Sequence, residues 1–341
     1  MSDLTFESAA SLVAAMHRGK LSAVELMHAC YDRIERVNPS LNAIVNLLPR
    51  DQALELARGA DRAQASGATL GPLHGLPMAP KDLVEVAGFP TTWGFRPFLD
   101  RIATQDDELA ARQRAAGALF IGKTNMPELG LGSHTFNSLF GTTVNPYDTG
   151  RSAGGSSGGA AAALAAGLLP LADGSDMGGS LRNPASFCNV VGMRPSIGRV
   201  PDVRPMGWFA RLSTPGPMAR TVADAALLLS AQAGHYQDDP LSLGQPGHSF
   251  AGTLGRDLHG LRIAWTPDLD LVPVEAEVVR VVAAAADTFR DLGCIVEQTC
   301  PDLSGAMAVF QVQRAAALAV TGRALERAVP DWREHAKDTV I

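Results

Sequence analysis

The sequence predicts an α/β fold, with a mixed, largely parallel central β-sheet covered by helices on both faces. From about residue 72 onward, short apolar runs alternate with stretches at helical spacing, the order that builds strand–helix–strand units. Glycine and proline mark the boundaries, and 34 glycines supply the tight turns such units need. A chain of 341 residues, 46% hydrophobic and 19% charged, can bury one large core.

Residues 6–37 read as two helices. The second opens at Ser22 with Glu25 three residues on, a capping box, and sets Val24, Met27, Tyr31 and Ile34 at helical spacing. Asn38-Pro39 is expected to stop it, because the residue before proline is disfavoured in the α region. A third helix runs from Asp51 to about Ala65, so residues 1–68 form an N-terminal helical segment. Residues 72–224 read as the chemical core and residues 225–341 as a further sheet and helix portion of the same single domain. In that portion, strands at 261–265 and 294–298 flank an amphipathic helix over about 274–292, and another helix follows over about 306–327. The chain stops on an apolar "TVI" after a polar loop, as though a following segment were absent.

Composition narrows the function. The net charge of −6 comes without any basic block, so nucleic acid is not an expected ligand. The longest apolar run, residues 160–172, is broken by Gly167 and Pro170 and falls short of the roughly 20 residues a membrane helix needs. The N-terminus lacks a basic start and apolar core, which predicts a cytoplasmic protein. Four scattered cysteines form no disulfide framework, and eight dispersed histidines form no zinc motif, so neither metal nor cofactor is expected. The partner expected is a small molecule, with a homodimer as the possible assembly.

One motif is rejected on context, and a second, a hydrolase elbow with a downstream histidine as base, is kept as a rival. "GALFIGKT", residues 117–124, fits the P-loop letters, but its apolar centre reads as a buried strand and Pro127 delays any helix. "GGSSG", residues 154–158, fits the hydrolase elbow and is followed by a helix, yet the polar stretch before it gives no strand signal. His235, His248, His259 and His335 stand downstream, none in a motif that singles it out.

The chemistry concentrates in "DGSDMGGSLRNP". Ser180 follows Met177, Gly178 and Gly179, a turn sharp enough to aim several N–H groups at one point beside a hydroxyl. The same fragment fits a glycine-rich turn whose serine bonds its own backbone. With no histidine nearby, the proton acceptor must be something else, and Lys81 in "PLHGLPMAPKD" lies in an apolar stretch. An amine serves as a base near neutrality only if its pKa falls about three units from the usual 10.4 or so, a shift that burial can impose. Strand alternation turns the adjacent Asp82 to the opposite face; the alternative is a surface Lys–Asp pair.

Residues 72–224 resemble the amidase signature family. "PLHGLPMAPKD", "IGKTNMPELGLG", the run from "NPYDTGRSAGGSSGG" to "GRVP", and "LSTPGPMARTVAD" occur in the family's order. The spacing agrees too, 75 residues from Lys81 to Ser156 and 24 from Ser156 to Ser180. The resemblance implies an amidase signature fold, with Ser180 as nucleophile, Ser156 as bridging serine after a cis bond from Gly155, and Lys81 as terminal base. It implies backbone oxyanion donors at Met177, Gly178, Gly179 and Ser180, with Ser157, Asp176 and Arg182 supporting them. Arg182 could instead bind a substrate carboxylate. Aromatic residues in "WGFRPF" (Trp93, Phe95) and "MGWFARL" (Trp208, Phe209) either line a pocket for an apolar group or belong to the core.

The activity implied is hydrolysis of amide C–N bonds, with carbamates or esters as further substrates, through an acyl-enzyme. One rival is an amidotransferase A-type subunit that releases ammonia from glutamine for a partner. A second is an inactive truncated scaffold that holds a ligand. Family members usually run longer, their last segment completing the sheet and one wall of the cleft.

Overall fold

The computed structural model describes residues 3–203, 211–244 and 250–338. The chain divides into two compact units, one of them Thr253–Ala319 and the other the remainder.

The larger unit begins with helices. Ser8 caps α1 (Ala9–His17), and Ser22 opens α2 (Ala23–Leu41) with the full reciprocal capping box to Glu25. The helix does not stop at Asn38. It carries Pro39 inside its last turn and ends at Asn42, whose φ of 54° is left-handed. Asn38 makes this possible: its carbonyl accepts the Asn42 N–H at 2.7 Å, while its side-chain oxygen accepts the N–H groups of Ala43 (3.0 Å) and Ile44 (2.9 Å). Beyond β1 (Ile44–Val45), α3 (Arg50–Ala65) packs Ala53, Leu54 and Ala57 against α2.

The centre is built of short strands. β2 (Pro77–Met78) is followed by α4 (Glu108–Ala115), β3 (Leu119–Phe120) and β4 (Lys123–Thr124). β3 pairs with β2 in parallel, β4 pairs with β1 antiparallel, and Lys81 bridges Thr124 in parallel. Ala118, Phe120 and Ile121 are buried, and only a short 3-10 turn at Glu128–Gly130 follows Pro127, so "GALFIGKT" is strand rather than phosphate loop. Two hairpins come next, β5 (Phe136–Asn137) with β6 (Gly141–Thr142), and β7 (Val144–Asn145) with β8 (Asp148–Ser152). The polar stretch before "GGSSG" is therefore a strand after all, held by its hairpin partner rather than by an apolar face.

α5 (Gly158–Ala165) is buried over Gly158–Leu164 and packs on β9 (Leu171–Asp176). α6 (Arg182–Phe187), β10 (Val191–Gly192), β11 (Thr214–Ala219) and α7 (Val222–Gln232) complete this part. β11 lies between β9 and β10 and runs antiparallel to both. The fold is α/β as expected, but its longest ladder is antiparallel. Within this unit parallel pairing is confined, among the described residues, to β2–β3 and the Lys81–Thr124 bridge.

In the smaller unit, β12 (Arg262–Trp265) and β13 (Ile295–Gln298) pair in parallel, joined by α8 (Ala276–Asp291) as the periodicity predicts. α9 (Ala306–Ala328) leads to α10 (Trp332–His335). No helix among the described residues is long and apolar enough to cross a membrane.

Candidate active site

Lys81 follows β2 and is 1% exposed, an uncommon burial for an ammonium side chain. Its Nζ lies 2.7 Å from Ser156 Oγ, 3.0 Å from Ser157 Oγ and 3.2 Å from Ser175 Oγ, a cage of three hydroxyls. Its backbone N–H donates to Asp173 Oδ1 at 2.9 Å. Asp82 faces elsewhere, as alternation requires, and accepts from the Thr92 hydroxyl at 2.5 Å and from the Thr92 and Gly94 N–H groups at 3.3 Å.

Beneath this lies a buried polar layer that the sequence did not disclose. Burial pushes the Asp82 and Asp173 carboxyls above the usual range, with Lys123 opposing the rise in both. Burial likewise pushes Lys123 down against those two carboxylates. Lys123 donates to the Val84 carbonyl, and Gln113 donates to Asp173 Oδ2 at 3.2 Å.

Ser156 stands before the N-terminus of α5, and the Gly155–Ser156 peptide is cis. Three glycines leave room for close neighbours in this region, one of them backbone and two of them hydroxyl side chains. A Cβ on Gly159 would lie 2.4 Å from Asn125 N, one on Gly158 2.3 Å from Thr135 Oγ, and one on Gly174 2.7 Å from Ser157 Oγ. The Ser157 N–H donates to the Ser180 carbonyl at 3.3 Å, tying the two serine segments together.

The turn between β9 and α6 carries Ser180, which is half-buried. Asp176, fully buried, organises it: its oxygens accept the N–H groups of Gly179 (2.7 Å) and Leu181 (3.2 Å) and two Arg182 nitrogens (2.9 and 3.1 Å). Burial pulls the Asp176 pKa up, but the Arg182 and Gly179 hydrogen bonds and the Arg182 charge outweigh it and hold the carboxyl below its usual range. Arg194 adds a further contact at 3.5 Å. The Gly179 N–H is thus committed to Asp176. The N–H groups of Met177, Gly178 and Ser180 have no partner among the described residues. Nor does any described residue hydrogen-bond the Ser180 hydroxyl.

The structure therefore brings Lys81, Ser156 and Ser157 into direct contact and joins Ser180 to them through the Ser157 N–H. Trp93 sits in an apolar cluster with Phe95, Phe98, Leu129, Leu325 and Trp332, its ring edge-on to Phe98 at 5.6 Å. Trp208 and Phe209 lie outside the described residues. Of the histidines, His335 pairs with Asp331 on the surface, His259 belongs to the smaller unit, and His248 lies outside the described residues. Among the described residues Ser156 Oγ has a lysine as its nitrogen partner. Ser175 was missed by sequence reasoning, although it lies two residues from Asp173 on buried β9, where both side chains turn toward Lys81.

A buried lysine ringed by serine hydroxyls, beside a glycine turn with undirected N–H groups, defines a serine–lysine centre on an α/β fold. The chain belongs to the Amidase family, whose sequence profile matches residues 25–338. It is 45% identical over 299 residues to an acylamidase of Rhodococcus erythropolis, covering 88% of this chain and 62% of that protein. Identity to the A-type subunit of the glutamyl-tRNA(Gln) amidotransferase from Thermobifida fusca is 40% over 312 residues, 91% of this chain and 62% of that one. The chain thus spans 62% of the length of either relative. Among solved structures, a bacterial aryl acylamidase of the amidase signature enzymes superposes with TM-score 0.92 at 32% identity, over 99% of this chain and 72% of that one. The native peptide amidase of Stenotrophomonas maltophilia superposes with TM-score 0.83 at 34% identity, over 96% and 68%.

Proposed function

We propose that the chain carries the active site of an amidase that hydrolyses the C–N bond of N-acyl amides through an acyl-enzyme. The observation that carries this reading is the 2.7 Å contact between the buried Lys81 Nζ and Ser156 Oγ. In the reacting form Lys81 is neutral, and the hydrogen bond runs the other way, from the Ser156 hydroxyl to Nζ. Ser180 Oγ attacks the substrate carbonyl as its proton passes to Ser156, and the Ser156 proton passes to Lys81. The oxyanion is held by the N–H groups of Met177, Gly178 and Ser180, while Gly179, at φ 119°, shapes the turn. The C–N bond breaks as Lys81 returns a proton through Ser156 to the leaving amine. Water then cleaves the acyl ester by the same relay.

Asp176 and Arg182 keep the turn rigid, and Arg182 is engaged there rather than with substrate. On this reading the short strands of the larger unit belong to one mixed sheet with helices on both faces, the whole chain is one catalytic domain, and the protein works in the cytoplasm. The acylamidase and aryl acylamidase likenesses favour acyl anilides and aliphatic acyl amides as substrates. The amidotransferase likeness supports a second reading, ammonia release from glutamine for a partner protein.

Amine release should be measured from acyl anilides, aliphatic amides, carbamates and glutamine. Hydrolysis of an anilide or aliphatic amide by the chain alone, lost at least about a thousandfold in Ser180→Ala, is expected. Ammonia release from glutamine alone, and only with an added partner, would establish the second reading instead.

A further inference from the structure

We infer that Asn183 is the positioning residue that holds the Ser156 segment in register with the Ser180 turn. The inference rests on the serine–lysine reading above, in which a proton must cross from one segment to the other.

Asn183 stands in the first turn of α6 and is tied at both ends. Its side-chain oxygen Oδ1 accepts the Gly155 N–H at 3.0 Å, one residue before the bridging serine. Its own N–H donates to the Gly179 carbonyl at 2.6 Å, one residue before the nucleophile. The backbone bond closes an i→i−4 turn within the Ser180 segment, and the side-chain bond carries that segment across to the residue before Ser156. The fit is close on the side of the bridging serine. Gly154 has a φ of 77°, and a Cβ there would stand 2.7 Å from Asn183 Oδ1 and 2.9 Å from Pro184 Cα. The chain comes close enough to reach the amide oxygen only because residue 154 has no side chain.

Pro184, immediately after, fixes φ within the first turn of the helix. Asn183 is thus mounted on a rigid element, as a residue that sets alignment should be. Its amide is uncharged and takes no part in moving protons. It acts through distance alone: proton transfer and nucleophilic attack both need their atoms within hydrogen-bond reach, and a displacement of about 1 Å can cost about 100-fold. A backbone tie between the segments, from the Ser157 N–H to the Ser180 carbonyl at 3.3 Å, is longer than the 3.0 Å Gly155–Asn183 bond.

The test separates alignment from binding. Inactivation of the chain by an alkyl fluorophosphonate is followed across probe concentration to give the maximal rate kinact and the half-saturating concentration KI. In Asn183→Ala, kinact should fall about 10- to 100-fold while KI stays within about threefold of wild type. If the alanine variant does not fold, Asn183→Ser is judged by the same criterion. A wild-type kinact in the variant, or a loss that resides wholly in KI, overturns the assignment. Failure of the wild-type chain to form an adduct on Ser180 overturns the serine–lysine reading itself.

Discussion

Asp176 shows how much one carboxylate can organise. It is fully buried, yet holds its charge because two backbone N–H groups and the Arg182 guanidinium converge on it. Asp176→Asn replaces one accepting oxygen by an NH2 group that must then face those donors, at a cost of roughly 2 kcal/mol by urea denaturation near neutral pH. The sign of the pH effect follows from the lowered pKa. A carboxyl held below its unfolded value contributes stability above about pH 4, and that contribution is lost as pH falls through the folded pKa. The gap between wild type and variant should therefore be widest near neutrality and shrink below about pH 4. A gap independent of pH would mean that the charge contributes nothing. At this scale, Lys81 stood out by its apolar stretch and the Ser180 turn by its glycines, whereas Ser156, Ser157 and Asp176 were named through the family resemblance. Asp173, Ser175 and Lys123 escaped, since their role depends on which strands become neighbours.

At the scale of elements, glycine positions divide by what surrounds them. α5 lies so close to the loop after β4 that a Cβ on Gly159 would stand 2.4 Å from Asn125 N and 2.5 Å from its carbonyl oxygen, both backbone atoms. Gly159→Ala must push backbone apart and should destabilise the chain by about 1–3 kcal/mol. Gly59, inside α3, would place a Cβ 3.8 Å from Arg62 Nη2 and nearer to nothing else. Gly59→Ala should stabilise by about 0.5–1 kcal/mol, because alanine has less backbone freedom to lose. Paired thermal melts check both signs, and a stabilising Gly159→Ala would refute the close packing of α5. The capping box of α2 was legible because it lies within four residues. The passage of the helix through Pro39 was not, because it depends on Asn38 reaching past the helix end to Ala43 and Ile44.

For the molecule as a whole, alternation of apolar runs with helices correctly announced an α/β fold and the βαβ pattern of the smaller unit. It could not announce pairing direction. Strands as short as β2 and β3 carry too few residues for a periodicity, and β9 and β11 are buried on both faces, so their composition is the same for either direction. The hairpin strand β8 was hidden by the opposite property, a polar surface with no apolar face. What the whole fold achieves is to bury one amine against three hydroxyls while leaving the Ser180 turn half-open. The most direct test is the pH profile of fluorophosphonate labelling in wild type and Lys81→Ala, with the adduct located by peptide mapping. The account predicts an adduct on Ser180, suppressed in the variant by at least about 100-fold near pH 7 and progressively less toward pH 10 as hydroxide replaces the amine. Labelling on Ser156 in place of Ser180, or an unchanged rate at pH 7 in the variant, would contradict it.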